Sequence, residues 1–238
     1  MAGSKINDRV QNRLLAALPE KESKRLRAKA ERVRLNVRDV LYQPEKPIKD
    51  VYFVEDGVVS LVSRMADGGT VEIATVGNEG MIGLPVFLGA STSPLQAFAQ
   101  VPGGAWKVSA ADFRQALDHG SSALAQALHR YTQALFVQLS MSVACNRLHS
   151  VQQRCARWLL ITSDRVDRSE FALTQEFLAQ MLGVRRASAN EALQNFKRKG
   201  FLDYRQGKMK IKNRKGLESA ACECYFITRD EYQRLTGS

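Results

Sequence analysis

The sequence predicts an α+β fold in three parts: an N-terminal β-roll of the jelly-roll type, a long dimerisation helix, and a C-terminal winged helix-turn-helix. Three observations predict it. Short β-rich runs separated by glycine turns fill residues 32–108, and an unbroken helical pattern begins at residue 123. Two shorter helical patterns then meet at Gly183 and precede a basic hairpin.

These patterns also predict where the domains begin and end. We expect a sensor β-roll with flanking helices over residues 1–122, and a dimerisation helix with a hinge over 123–149. Residues 150–238 are expected to form the winged helix-turn-helix domain.

The charge of the 238-residue chain indicates a polyanionic partner. Its 35 Lys and Arg residues exceed its 24 Asp and Glu residues, for a net charge of +11, which favours nucleic acid or an anionic membrane surface. Much of the excess lies between residues 185 and 215. The polar opening segment, residues 1–13, has no apolar run, so we expect a cytoplasmic protein without a membrane partner.

The N-terminal half is expected to begin with a helix that carries Leu14, Leu15 and Leu18 and ends at Pro19. Alternating and β-branched residues then predict strands over 39–42, 50–54, 58–62, 70–75 and 96–101. The segments 55–57 and 66–69 contain glycines that tolerate positive φ, so each is predicted to form a hairpin turn. Many short strands with glycine turns are typical of a jelly roll or barrel.

A helical pattern replaces the strands from Ser109, which is expected to cap a helix over residues 110–118. After 120–122 a longer helix should follow, about 37 Å long if it reaches residue 147 at ~1.5 Å per residue. Leu124, Leu128, Tyr131 and Leu135 recur along it at spacings of four, three and four. This seam indicates either a homodimer interface, which the length favours, or the core helix of one subunit.

A helix-turn-helix is predicted after a helical block over residues 150–163. Thr174 is placed to cap a short helix, and Gly183 supplies the turn into a second helix over 186–199, which Gly200 ends. The inward positions are apolar: Leu178, Met181, Leu182, Ala189, Leu193 and Phe196. Such a pair of helices is common in DNA-binding proteins.

The outward face of the second helix carries side chains suited to reading bases. Arg186 can bond guanine, Asn190 can bond adenine, and Glu191 can accept from cytosine. A solvated helix face would show similar charges, but a basic hairpin follows. In it Lys208, Lys210 and Lys212 alternate with Met209 and Ile211, which predicts a strand that contacts phosphates along one face.

Together these residues resemble the Crp/Fnr superfamily of bacterial transcription regulators over nearly the whole chain. The turn at 180–183 and the segment 184–190 are similar to the family's Gln-x-x-Gly turn and arginine-rich recognition helix. The resemblance implies that Arg186 contacts bases and that Thr174, Gln175 and Ser188 contact phosphates. Arg185, next to Arg186, is also expected to contact DNA. Ala187 and Glu191 replace the family's glutamate and second arginine, so a different operator is expected.

The N-terminal half resembles the family's cyclic-nucleotide-binding β-roll. Residues 50–57 are similar to its second hairpin, and residues 77–83 to the start of its phosphate cassette. Leu84 and Pro94 stand where cyclic AMP binders carry a ribose-binding Glu and a phosphate-pairing Arg. The effector is therefore expected not to be cyclic AMP. Five residues remain as the expected site of an unidentified small molecule: Gly83, Leu84, Pro94, Leu95 and Ser140.

No metal, cofactor or catalytic activity is expected. The four cysteines form no C-x-x-C pair, although Cys222 and Cys224 are close enough in sequence to merit a test. Iron-sulfur sensors of the family need N-terminal cysteines, whereas the first here is Cys145, and haem sensors need a β-roll histidine, whereas the first is His119. We find no P-loop, G-x-S-x-G or H-E-x-x-H motif.

The expected partners are double-stranded DNA with a near-palindromic operator, a second copy of the chain, and RNA polymerase. The alternative is a ligand-sensing regulatory module that docks a protein, RNA or a membrane through its basic C-terminal region. That alternative predicts no preference for any duplex sequence over random DNA.

Overall fold

The computed structural model describes residues 10–66, 68–117, 123–166 and 169–237. The predicted turn at 120–122, the sensor boundary at 122 and the end of the helix at 118 lie outside these residues. So do His119 and most of the polar opening segment.

The described part of the chain begins with two helices where the sequence predicted one. Helix α1 spans Arg13–Ala16 and α2 spans Glu20–Arg27. The side chain of Asn12 caps α1 by accepting a hydrogen bond from Leu15 N at 3.1 Å. Pro19 lies outside α1 and occupies the extended cap position that begins α2, where a missing N–H costs little.

The N-terminal domain is a six-stranded antiparallel sheet in the order β1-β6-β3-β4, with β2 pairing to β6 and β5 to β3. Two long strands, β3 and β6, form its centre and pair along most of their length. The strands are β1 (Ala30–Leu35), β2 (Val40–Tyr42), β3 (Asp50–Arg64), β4 (Thr70–Val76), β5 (Met81–Ile82) and β6 (Gln96–Ser109).

The predicted hairpin turn at 55–57 is wrong, because β3 runs through it without reversing. Gly57 has φ +113 and marks a register shift in the pairing with β6. A Cβ atom on Gly57 would lie 2.8 Å from the carbonyl oxygen of Val101, so the glycine permits a bulge with close strand approach. The turn between β3 and β4 lies at 65–69, as predicted, with Asp67 outside the described residues.

Two short helices flank the sheet, α3 (Leu84–Phe87) and α4 (Ala110–Leu117). The predicted cap of α4 is confirmed, because Ser109 Oγ accepts from Asp112 N at 3.0 Å. Helix α5 then spans Ala123–Leu148, within one residue of the prediction. None of the helices in the described part of the chain combines the length and apolarity needed to cross a membrane.

The assignment of Leu124, Leu128, Tyr131 and Leu135 to a dimer interface is wrong. Their side chains are 0–7% exposed within a single chain, packed in one cluster with the N-terminal sheet. The hydroxyl of Tyr131 donates to the carbonyl oxygen of Met81 at 3.3 Å. The seam therefore forms the core of one subunit, which is the alternative that the spacing left open.

The C-terminal domain contains five helices and a three-stranded sheet among its described residues. They are α6 (Val151–Val166), β7 (Glu170–Ala172), α7 (Gln175–Leu182), α8 (Arg186–Arg198), β8 (Leu202–Arg205), β9 (Lys208–Ile211), α9 (Arg214–Ser219) and α10 (Glu223–Thr236). The sheet order is β7-β9-β8. Strands β8 and β9 form the predicted hairpin, and β7 pairs with β9, which is therefore the central strand.

The two domains share a hydrophobic cluster. Val58, Val62 and Val101 of the N-terminal sheet pack with C-terminal residues that include Trp158 and Leu182. Beside them the ring of Phe98 meets the ring of Phe177 edge-on at 6.2 Å between centroids. The C-terminal domain is therefore held against the sheet by buried apolar surface.

Candidate nucleic-acid interface

Helices α7 and α8 form the predicted helix-turn-helix. Thr174 Oγ1 accepts from Phe177 N at 3.1 Å, which satisfies one of the free N–H groups at the start of α7. Gly183 ends α7 in the left-handed region with φ +62, which a glycine adopts without steric strain. Arg185 is extended and precedes α8.

The outward face of α8 presents charged side chains where the sequence predicted them. Arg185, Arg186 and Glu191 are exposed, whereas Leu193 and Phe196 on the opposite face are buried in the domain core. Ser188 lies between the two faces and is half-buried. The N-terminus of α8 therefore offers guanidinium groups to an approaching polyanion, in line with the helix dipole.

Asn190 and Gln175 hold each other in place. Gln175 Nε2 donates to Asn190 Oδ1 at 2.8 Å, and both residues are half-buried. The bond joins the start of α7 to α8. If Asn190 were to bond adenine with both atoms of its amide, its Oδ1 would have to accept from Gln175 and from the base.

The alternation of the basic strand is confirmed. Met209 and Ile211 are buried, whereas Lys208 and Lys210 are exposed on the other face of β9. The turn into β9 places Gln206 at φ +49 and Gly207 at φ +75. Two consecutive residues with positive φ are typical of a tight type I′ hairpin turn.

The three lysines have different electrostatic surroundings. Lys210 lies opposite Glu170 on one neighbouring strand and opposite Asp203 on the other. Lys212 lies one residue beyond β9, and its Nζ is 3.8 Å from Asp203 Oδ2. The acidic neighbours therefore offset part of the positive charge of both lysines.

Lys208 is placed opposite Arg205 near the tip of the hairpin, so two cations face each other across the strands. Like charges in this arrangement are unfavourable unless an anion lies near them. Arg205 also lies 3.3 Å from Asp203 through Nε, yet its side chain is 79% exposed. In the sequence, Arg205 is one of the basic residues between 185 and 215, and no pattern distinguishes it from the others.

The five expected effector residues are distributed over different surfaces. Leu84 is 8% exposed and packs in the apolar core of the sheet, just after Gly83, which has φ +94. Pro94 is exposed and Leu95 is half-buried. Ser140 lies on the exposed face of α5, opposite the face that packs on the sheet, and its Oγ donates to Phe136 O at 2.9 Å.

A buried polar network joins the sheet to the C-terminal domain. Arg165 Nε lies 2.7 Å from Glu79 Oε1, and both side chains are nearly inaccessible to water. Arg165 Nη2 donates to Gln138 Oε1 at 2.9 Å, and Tyr232 donates to the same oxygen at 2.9 Å. This arginine is therefore engaged by protein groups at the domain junction and is not placed to pair with a ligand phosphate in the cassette.

Comparison with protein families identifies both halves of the chain. Residues 32–119 match the cyclic nucleotide-binding domain, and residues 153–220 match the Crp-like helix-turn-helix domain. A β-roll sensor followed by this helix-turn-helix defines a class of DNA-binding transcription regulators. The chain belongs to the Crp/Fnr superfamily, as its resemblance indicated. Regulators of this family bind DNA and act as dimers.

Solved structures agree on the fold. FixK2 from Bradyrhizobium japonicum is 19% identical with a TM-score of 0.69, over 81% of this chain and 98% of that one. A CRP-family transcriptional regulator from Thermus thermophilus is 18% identical with a TM-score of 0.66, over 79% and 96%. The c-di-GMP-responsive global regulator CLP from Xanthomonas campestris is 18% identical with a TM-score of 0.61, over 81% and 99%. A search of curated proteins gave no match.

Proposed function

We propose that this protein is a homodimeric, sequence-specific transcription regulator that reads a near-palindromic DNA operator with α8. The observation that carries the proposal is the exposed N-terminus of α8, where Arg185 and Arg186 project beside a basic β-hairpin. A helix of this kind fits the major groove, and a neighbouring basic strand can follow the phosphate backbone. The side chains of Arg185, Arg186 and Lys208 are exposed to solvent while the C-terminal domain is packed on the sheet.

The proposed contacts with DNA are of two kinds: contacts with bases and contacts with phosphates. Arg186 is proposed to bond guanine, with Glu191 and the amide pair of Asn190 and Gln175 setting the preference at neighbouring bases. The residues around these base contacts are proposed to bind phosphates: Thr174, Arg185, Ser188, Lys208, Lys210 and Lys212. Arg205 is included with them because it lies opposite Lys208. Lys208 lies opposite Ala172 and Arg205 rather than an acidic residue, so it should contribute more to phosphate binding than Lys210 or Lys212.

The second copy of the chain is proposed to bind the exposed face of α5. Phe136 and Val143 are 64% and 73% exposed there, and their seven-residue spacing places them on one stripe with Ser140 between them. Apolar side chains at this spacing form the seam of paired helices. A two-fold axis along the seam would set the two α8 helices to read half-sites about 34 Å apart.

The N-terminal domain is proposed to sense a small molecule other than cyclic AMP. Leu84 packs in apolar surroundings and Pro94 carries no charge, so neither supplies a partner for a ribose or a cyclic phosphate. The chain is proposed to divide into a sensor over residues 1–122, a dimerisation helix with a hinge over 123–149 and a DNA-binding domain over 150–238. The regulator would act without catalytic activity in the cytoplasm, where it meets operator DNA and RNA polymerase.

Selection of bound duplexes from a random pool tests the proposal. The full chain should enrich a near-palindromic sequence, and Arg186→Ala should enrich a different or weaker consensus. Parallel selections with cyclic AMP and cyclic di-GMP would show whether either ligand alters the enrichment. If no sequence gains over random DNA, the alternative of a module that docks protein, RNA or a membrane replaces this proposal.

A further inference from the structure

Four side chains with metal-binding atoms meet at the hinge between α5 and α6. Cys145 lies in the last turn of α5 and His149 directly follows that helix, whereas Cys222 and Cys224 flank the first residue of α10. One ligand atom from each lies within 4.8 Å of the others. The sulfur atoms of Cys145 and Cys222 are 3.4 Å apart, and Cys224 Sγ is 3.7 Å from His149 Nδ1.

These distances fit the edges of a coordination tetrahedron. Zinc binds thiolate at about 2.3 Å and imidazole at about 2.05 Å, which gives sulfur–sulfur edges of about 3.8 Å and sulfur–nitrogen edges of about 3.6 Å. Three cysteines and one histidine are also a donor set that structural zinc sites use. The cysteines are at most 2% exposed, so such a site would be closed to water.

The surroundings of the four donors favour a metal over thiols packed by chance. His149 Nε2 lies 3.3 Å from Glu223 Oε1. A carboxylate on the outer ring nitrogen holds the proton there and leaves the lone pair of Nδ1 for a metal, an arrangement that recurs around zinc. The buried guanidinium of Arg157 acts electrostatically on Cys145 and Cys224, and would offset the net negative charge of three thiolates around a divalent ion.

We propose that Cys145, His149, Cys222 and Cys224 bind one Zn²⁺ ion that clamps α10 to the hinge. The four metal–ligand bonds would hold the start of α10 at the junction between α5 and α6. They would thereby fix the orientation of the helix-turn-helix domain. A Cys145–Cys222 disulfide is the competing explanation of the short sulfur–sulfur distance. It would use two of the four donors and leave the placement of Cys224, His149 and Glu223 without a role.

The expectation of no metal rested on the missing C-x-x-C pairs, and a zinc site at the hinge would overturn it. The chain carries instead a C-x-x-x-H pair at a helix end and a C-x-C pair 77 residues after the first cysteine. Spacing alone could not show that the two pairs meet. The inference stands independently of DNA binding, since it concerns only the hinge and α10.

Metal analysis of the full chain under reducing conditions tests the proposal. We expect one zinc per chain by mass spectrometry of the metal. After removal by a chelator, Co²⁺ should restore one equivalent with thiolate-to-cobalt charge transfer and the intense visible bands of a tetrahedral site. Cys222→Ser and His149→Gln should lose these bands or alter them, whereas Cys155→Ser, a buried cysteine outside the cluster, should keep them.

Glu223→Gln separates the outer carboxylate from the ligands. We expect the same stoichiometry with zinc affinity about 10–100-fold weaker, measured by competition with a coloured chelator. The wild-type cobalt spectrum decides the question even if a cysteine variant fails to fold. A folded wild-type chain that takes up no cobalt through thiolate, or in which thiol trapping finds Cys145 and Cys222 joined as a disulfide under the same conditions, overturns the proposal.

Discussion

The indole Nε1 of Trp158 donates a 2.8 Å hydrogen bond to Glu72 Oε1, which joins α6 of the helix-turn-helix domain to β4 of the N-terminal sheet. Ser60 Oγ donates to the other carboxylate oxygen, also at 2.8 Å. The carboxyl group is enclosed at the junction, and burial raises the pKa of Glu72 to about 7. The junction between the domains therefore contains a group that titrates near neutral pH.

Stability should fall as pH rises through the titration of Glu72. The folded chain binds its proton below about pH 7, whereas the unfolded chain releases it near 4.5, so the folded state loses up to about 3 kcal/mol across that window. Denaturant unfolding at about pH 5 and about pH 8 measures the difference. Glu72→Gln, which retains an acceptor for Trp158, should reduce the loss, and exposed Glu45→Gln should not. An unchanged loss in Glu72→Gln would contradict the assignment.

Replacing only one member of the buried ion pair of Arg165 and Glu79 should strongly lower the free energy of unfolding. Arg165→Met leaves the Glu79 carboxylate enclosed without its cation, so we expect a loss of about 3–5 kcal/mol in the free energy of unfolding. The double variant Arg165→Met/Glu79→Gln should recover much of that loss because no charge remains buried. A double-mutant cycle by denaturant unfolding measures both. Equal losses for the single and double variants would show that the charge is not the cause.

Two substitutions on α5 should separate dimerisation from folding. Phe136→Glu places a charge on the exposed stripe and should produce a folded monomer, by sedimentation at micromolar concentration. Leu128→Ala should leave the dimer intact but lower stability by about 2–5 kcal/mol, because it opens a cavity in the core. Ile227→Glu, at an exposed apolar residue of α10, serves as the matched control and should remain dimeric. A dimeric Phe136→Glu protein would place the interface elsewhere.

Helix α8 and the basic hairpin of β8 and β9 should respond differently to mutation. Arg186→Ala should weaken binding to the operator by about 1–3 kcal/mol and reduce the preference for one base at the position that Arg186 contacts. Binding to random DNA should change little. Lys208→Ala should weaken operator and random duplex alike and reduce the salt slope by about one unit, more than Lys210→Ala, whose charge is partly offset. Lys24→Ala, on α2, should change neither. Altered base preference in Lys208→Ala would reverse the assignment.

Cyclic AMP should neither bind tightly nor change affinity for the operator. The cassette lacks charged partners at Leu84 and Pro94, so the phosphate would be poorly compensated. Isothermal titration calorimetry of the full chain should show no micromolar binding. Operator titrations with and without the nucleotide should coincide. Micromolar affinity would show that other residues hold the phosphate.

Local chemistry explains why the DNA-binding half was predicted closely. The cap at Thr174, the left-handed Gly183 and the alternation from Lys208 to Ile211 each depend on a few neighbouring residues. Gly57 was misread because a glycine that tolerates positive φ serves a hairpin turn and a bulge equally well. Only the long-range pairing of β3 with β6 distinguishes the two.

The proposed interface on α5 and the cysteine cluster were not predicted from the sequence for a related reason. An apolar seam shows that a helix packs on something, but not whether its partner is the chain's own sheet or a second copy. The exposed stripe at Phe136 and Val143 is short and interrupted by Ser140, so it gave a weaker pattern than the core seam. Cys145 and Cys222 meet only once α10 has packed along α5.

Val58, Val62 and Val101 pack in one apolar cluster with the C-terminal domain. Any movement that separates the two domains would therefore change the heat capacity of the protein. Lifting α6 away from β3 would hydrate these side chains together with Trp158, and exposure of apolar surface raises the heat capacity. The free-energy difference between the packed and lifted arrangements would then vary non-linearly with temperature, because the enthalpy difference itself changes with temperature. A ligand that favours the packed arrangement would bind with an enthalpy that varies with temperature, and this variation would reveal the motion without any structural probe.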